Sequence, residues 1–390
     1  MLILSIIGLV IATLGTIFYQ FPFVPKNISF DELEFARLAI SLIKHPSIYS
    51  TLATGHTTPY YYFILGAFKL FGISAFSLRL PSALFGLANV FLVYSLLTKF
   101  FSQKTSFFGA FLFATSRWVF QFARFSFEGT YLLFWELSAI LFVLEYIKNH
   151  RLRYLIGTIV TTVLTFYSYL PGRIFFIVPL YLIFREKKLK HQGIIFLIIF
   201  ALCAIPLLLI TNTLESRVSS LTYVTNSTIP FLTKVSFFFE NIWKTVSMFA
   251  FTGDLNGRHN FPVKPALNPF ITLLFFIGII KGIHKGFLEE KKYILFYIWF
   301  LVSLLPSFFV YPNENPHFLR TYTATVSTIF FCTLTVDYIF TLKKNSIAAL
   351  LIICILLSSI HDVRTYFKYQ TSVFKKAFEV KTMELGKLKF

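Results

Sequence analysis

The chain has 390 residues, 56% of them hydrophobic and only 14% charged. Lysine and arginine (36) outnumber aspartate and glutamate (17), giving a formal net charge of +19. Apolar runs near twenty residues long recur throughout and are apolar all round, which excludes a soluble globular domain; with no nucleic-acid motif present, the basic balance points to membrane topology, not to RNA or DNA.

The first run, LILSIIGLVIATLGTIFYQF, has no basic leader region and no small-x-small cleavage site, so a retained span over 2–20 is expected. A first outer loop follows at 21–78. Within it Ser29 is a candidate N-cap, with Glu32 three residues on as in a capping box. Asp31 stands beside it, and an ionisable group at a bilayer face needs a partner or a function. Asp31 and Glu32 are therefore catalytic candidates, Asp31 as the general base for an acceptor hydroxyl. Helix capping is the structural alternative for Glu32, and the helix dipole alone favours an acid at position 31. The stretch 59–72, PYYYFILGAFKLFG, is short for a span and is expected to lie along the interface.

Further spans are expected at 79–98, 105–122, 129–147, 154–169, 172–184, 193–211, 267–283, 293–310, 320–341 and 346–361, about eleven with the first. With this order, loops on one side hold plain basic residues: Lys99 and Lys104; Lys148, Arg151 and Arg153; Arg185, Lys187, Lys188 and Lys190; Lys281, Lys285, Lys291 and Lys292; Lys343 and Lys344. Such loops are cytoplasmic. The other face then receives five mixed polar clusters: 31–56, ARFSFEG at 123–129, YSYLPGR at 167–173, a long outer loop at 212–266, and YPNENPHFLR at 311–320. Residues 1–361 thus form one polytopic domain of a plasma or inner membrane, its site on the extracytoplasmic face. Residues 362–390 form a short extracytoplasmic tail resting on the membrane surface. Cys203, Cys332 and Cys354 lie inside apolar runs and read as core residues. No Walker A, GxGxxG or HExxH pattern points to ATP, a dinucleotide or a zincin site.

FDELEFARLA, GHTTPYYYFILGAFKLFG, LRLPSALFG, ARFSFEG, TGDLNGRHNFPVKPALNPF and NPHFLRTY, in this order and spacing, resemble the GT-C glycosyltransferases, closest to the protein O-mannosyltransferase and lipid A aminoarabinose transferase group (families 39 and 83). The resemblance implies an all-α integral-membrane GT-C fold with interfacial helices in the first outer loop. It also implies a polyprenyl-phosphate-linked sugar donor among the membrane lipids, and transfer to a lipid, glycan or protein acceptor. The first-loop acid of the family falls on Asp31, and its second acidic position on Glu128, where the mannosyltransferases usually have aspartate. His56 stands just before Pro59-Tyr60, where the lipid A enzymes place an acidic metal ligand. A divalent metal ion is the one cofactor the resemblance allows for, with Glu32, His56 and His259 as candidate ligands.

A donor of this kind leaves as a phosphate anion, which a guanidinium stabilises well. Arg79, Arg124, Arg173, Arg258 and Arg320 are the candidates, with pairing to Asp31 or Glu128 as the alternative for Arg79 and Arg124. Arg258 leads, because Gly257 beside it would let backbone approach a ligand. His56, His259 and His317 complete the substrate-binding set, His317 three residues before Arg320 and on its face if a helix begins there. The competing class is a transporter or flippase of a lipid-linked sugar. It would place ionisable residues mid-membrane and would tend to show internal repeats. No repeat is evident, and the spans are nearly charge-free, with Arg117, Glu136, Glu145 and Asp337 as exceptions, mostly near their ends, beside basic residues at span termini such as Arg79, Arg173, Lys281 and Arg320.

Overall fold

The computed structural model describes residues 2–52, 55–213, 221–286 and 291–390. Residues 214–220, at the start of the expected long outer loop, lie outside the described residues. The chain folds as a helical bundle. In order, its helices are α1 (Leu2–Thr13, continued by a π-helical turn Leu14–Phe18), α2 (Phe30–Ser41), α3 (Pro59–Phe71), α4 (Ala75–Leu97), α5 (Gln103–Thr115), α6 (Gly129–Asn149), α7 (Leu152–Phe166), α8 (Ile177–Arg185), α9 (Lys190–Thr213), α10 (Phe231–Ser247), α11 (Pro269–His284), α12 (Ile294–Phe308), α13 (Ala324–Thr341), α14 (Asn345–Arg364) and α15 (Thr371–Ala377). One two-residue hairpin, β1 (Tyr49–Ser50) with β2 (His56–Thr57), pairs antiparallel.

Helix underlies each expected span. Five helical stretches, Ala75–Leu97, Gly129–Asn149, Lys187–Thr211, Ala324–Thr341 and Asn345–Ala377, are long and apolar enough to cross a membrane alone, and shorter apolar helices accompany them. α4 packs against α5 and α6, and α13 against α5 and α11. α13 sits at the centre, buried from Ala324 through Val336. Its threonines return their hydroxyls to helix carbonyls, as Thr328 does to Ala324 O (2.8 Å) and Thr333 to Ile329 O (2.7 Å). In hydrocarbon no water would satisfy those groups. Gly278 of α11 lies so close to α13 that a Cβ would stand 1.8 Å from Phe331 O, the close backbone approach that small residues permit between membrane helices.

The first loop is organised from outside itself. Ser29 and Glu32 form the expected capping box, Ser29 Oγ accepting from Glu32 N (3.2 Å) and Glu32 Oε2 from Ser29 N (3.0 Å). α3 has 13 residues, about 20 Å at ~1.5 Å per residue, short of a ~30 Å hydrocarbon core. It packs against α2 and α4 and presents Leu70 outward. The irregular stretch between α1 and α2 is pinned by two fully buried arginines. Arg79 donates to the carbonyls of Pro22 (2.8 Å), Pro25 (2.6 Å) and Asn27 (2.6 Å). Arg124 donates to those of Thr16 (2.9 Å), Ile17 (2.6 Å), Tyr19 (2.9 Å) and Val24 (3.1 Å). Thr16 and Ile17 belong to the last turn of the first helix, where carbonyls lack helical partners and a cation is favoured.

Two elements differ from expectation. The long outer loop contains α10, whose inward side carries Asn241, donating to Val310 O (2.6 Å), while Phe231, Leu232, Phe239 and Trp243 are exposed. The helix thus keeps an exposed apolar side facing away from the bundle. The tail, in turn, does not separate at 361. α14 continues through a π-helical segment Thr365–Gln370 into α15. Tyr366, Phe374 and Phe378 are buried, and Val380 forms a β-bridge with Ile28 of the first loop. The aromatic spacing of the tail belongs to a packed core strap.

Candidate active site

Two cavities adjoin at one end of the bundle. One, of about 290 Å³, is polar and is lined by Asp31, His56, Glu128, Asn256, Arg258, His259 and His317, among others. The other, of about 260 Å³, has mostly apolar walls, with Leu170, Pro171, Phe309 and Val310 beside Arg173 and Arg320. His56, Tyr169, Glu314 and His317 line both and form the shared wall. Each of the five polar clusters contributes at least one residue to these cavities.

Asp31, in the first turn of α2, is half-exposed and paired with Arg258 Nη1. Glu128 immediately precedes α6, without a side-chain capping bond, and is buried. It accepts from the Tyr61 hydroxyl (2.5 Å) and lies 2.6 Å from His56 Nδ1. Burial alone would push this carboxyl up; His56, through its charge and its hydrogen bond, together with Tyr61, brings it below the ordinary carboxylate range.

The loop 253–268 is tied down by hydrogen bonds. Asp254 Oδ1 accepts from Asn256 N (2.8 Å), and the Asn260 amide bridges Asp254 O (2.8 Å) and Lys264 O (2.7 Å). Arg117 holds it from below, on Asn260 Oδ1 and on Pro265 O (2.9 Å), and Gln121 donates to His259 O. Arg117, a charge within an expected span, thus has a structural place. Asp254 Oδ2 accepts from Phe318 N (2.8 Å) and lies 3.1 Å from His259 Nδ1. With His317 these form a group whose ligand atoms all lie within 4.8 Å of one another. One carboxylate and two imidazoles are a suitable donor set for a divalent cation with a coordination position left open.

Several expected roles change. Glu32 is fully buried with both oxygens occupied: Oε1 by Arg79 Nε (2.8 Å) and Ser126 N (3.0 Å), Oε2 by Arg79 Nη2 (3.0 Å) and Ser29 N. It has no open face for catalysis or a metal. Arg79 and Arg124 are likewise spent on the first loop and reach neither cavity. Arg79 pairs with Glu32, not with Asp31 or Glu128, and Arg124 has no carboxylate partner among the described residues. His56 is engaged by Glu128, so of the three expected metal candidates His259 alone belongs to the ligand group. Gly257 faces the tail, its Cβ position only 2.5 Å from Val373 Cγ1, so its smallness serves packing. Asp254 and Tyr61 were not among the expected site residues. For Asp254 the signal was present, an acid in a GDLNG turn five residues before His259; for Tyr61 nothing in an apolar helix distinguished it.

Residues 56–210, under half of the chain, match the family model of dolichyl-phosphate-mannose-protein mannosyltransferases. The whole fold is similar to ArnT from Cupriavidus metallidurans bound to undecaprenyl phosphate: TM-score 0.57 and 11% identity, over 97% of this chain and 76% of that one. It is also similar to the archaeal oligosaccharyltransferase AglB from Archaeoglobus fulgidus in complex with an inhibitory peptide and a dolichol-phosphate, with TM-score 0.52 and 14% identity over 98% of this chain. This chain spans 56% of that protein's length. No curated protein matches it in sequence.

Proposed function

We propose that this protein, whose fold is that of the GT-C membrane glycosyltransferases, moves a sugar from a polyprenyl-phosphate donor onto an acceptor hydroxyl, on the membrane face away from the cytoplasm. The observation that carries the reading is the pair of adjoining cavities of opposite character. An apolar chamber with two guanidiniums suits a lipid phosphate; a polar chamber with a half-exposed carboxylate suits a hydroxyl nucleophile. Structures of like fold hold undecaprenyl phosphate and dolichol-phosphate, which supports a donor of that class.

In this reading Asp31 takes the acceptor's proton while the acceptor oxygen forms a bond to the sugar's anomeric carbon. The bond from that carbon to the phosphate oxygen breaks, and the polyprenyl phosphate leaves with the electron pair. Arg258 orients Asp31, and the sugar would meet the acceptor at His56, Tyr169, Glu314 and His317, the residues that line both cavities. A divalent cation, where bound, would be held by Asp254, His259 and His317 and would supply electrostatic stabilisation of the leaving phosphate. Zinc or manganese titrated into the purified chain should bind, and His317→Ala should abolish that binding; a variant that binds as wild type removes the assignment.

Arg173 is the first choice for the donor phosphate. Its buried Nε has no hydrogen-bond partner among the described residues, and the side chain lines the apolar cavity. A charge-assisted hydrogen bond of about 1.5–3 kcal/mol corresponds to a rise of roughly 10–100-fold in donor KM for Arg173→Ala. Arg173→Lys should fall between, since an ammonium lacks the two-pronged fit. The assay is transfer from radiolabelled polyprenyl-phosphate sugars to candidate acceptors. Absence of transfer with every donor defeats the function, whereas transfer with unchanged donor KM in Arg173→Ala defeats only the residue's role.

Sidedness follows from the basic loops. A cysteine in place of exposed Ser227 should react with membrane-impermeant maleimide in intact cells, and one in place of exposed Lys188 should not. The reverse pattern would put the site in the cytoplasm.

A further inference from the structure

Away from both cavities, the first loop and the tail enclose a groove of about 660 Å³. Its walls are apolar at Phe23, Pro25 and Phe374, and its rim carries Lys26, Lys375 and Lys381. All three lysines are exposed, and none has an ion-pair or hydrogen-bond partner for its ammonium among the described residues. The nearby acids are engaged elsewhere: Glu379 accepts from Phe30 N (3.3 Å) and Glu384 pairs with Lys387 (2.7 Å). The groove opens where the first and last long apolar helices leave the bundle, marked by the Tyr19 ring against Phe367 at 5.3 Å. Phe23 and Met383 stand 71% and 65% exposed there, beside the lysines.

We infer that this groove binds the headgroup and upper acyl chain of an anionic phospholipid. Unpaired ammonium groups above an exposed apolar floor, at the end of membrane helices, match an amphiphile with a phosphate at the interface and hydrocarbon beneath it. A soluble anion would use the lysines but leave the apolar walls wet. Nor does the positive-inside rule account for the cluster, because it lies at the same end of the bundle as Asp31, opposite the basic loops. The inference stands apart from the sugar-transfer reading and is tested without it.

The full-length chain, purified in neutral detergent, is titrated with phosphatidylglycerol, with phosphatidylcholine of the same acyl chains, and with inorganic phosphate, and bound species are counted by native mass spectrometry. Wild type should prefer phosphatidylglycerol on the order of tenfold, and added salt should shrink that preference. The triple exchange Lys26→Gln, Lys375→Gln, Lys381→Gln should erase it, and each single exchange should remove part. Exchange of Lys187, Lys188 and Lys190 to glutamine, at the other end, should leave it intact. Equal binding of the two lipids by wild type, retention of the preference in the triple variant, or displacement of the lipid by inorganic phosphate at matched concentration would each overturn the assignment.

Discussion

Asp31→Asn is expected to lower sugar transfer by roughly 10²–10⁴-fold, the usual contribution of a general base, with donor KM little changed. The substitution is nearly isosteric, and the asparagine carbonyl can still accept from Arg258. Because the Asp31–Arg258 pair is partly exposed, at 43% and 25% for the two side chains, its loss should change stability little, within the ~1 kcal/mol typical of surface pairs. Rate and melting temperature therefore separate. A variant with near-wild-type turnover ends the role of Asp31 as base. One that loses activity only because it melts early would show the carboxylate to be structural.

The opposite profile is expected at Arg79. Arg79→Met strands the Glu32 carboxylate, fully buried, and deprives three first-loop carbonyls of their donor. Removing one partner of a buried ion pair destabilises by about 3–5 kcal/mol, a large share of a typical protein's stability. The variant should be recovered in low yield, with a clearly lowered melting temperature in detergent. Arg79→Met combined with Glu32→Gln should recover part of the loss, since the stranded charge is gone. Whatever folded protein remains should bind donor with unchanged KM. A single variant that melts as wild type would show the pair to be dispensable, and a raised donor KM in stable protein would return Arg79 to the substrate.

Much of the architecture was legible because membrane helices declare themselves by length and hydrophobicity. The capping box at Ser29 and Glu32 was legible too, being written over four consecutive residues. What could not be read was which distant charge meets which. Arg79 and Arg124 carry the same residue type in similar surroundings as Arg173, yet the first two are buried in carbonyls and the third lines a cavity. That distinction depends on contacts between residues far apart in the chain. α10 was missed for another reason. Leu232, Phe239, Trp243 and Val246 recur at helical spacing, but they sit in a segment read as loop, and their apolar side turns outward, away from the bundle. The tail was misjudged because a polar segment with aromatic residues spaced through it suggested a surface, while Tyr366, Phe374 and Phe378 anchor it inside.

The two buried arginines hold the stretch from Thr16 to Asn27 by its carbonyl oxygens alone. Carbonyls are common to every amino acid, so this recognition is indifferent to the side chains it secures. As far as placing Asp31 goes, tolerance to substitution should then be lopsided: residues 19–27 can drift as long as the chain keeps its path, Phe23, Pro25 and Lys26 answering separately to the lipid groove, while the two positions that read them cannot. Related sequences could share no letters in this stretch and still set Asp31 at the same place.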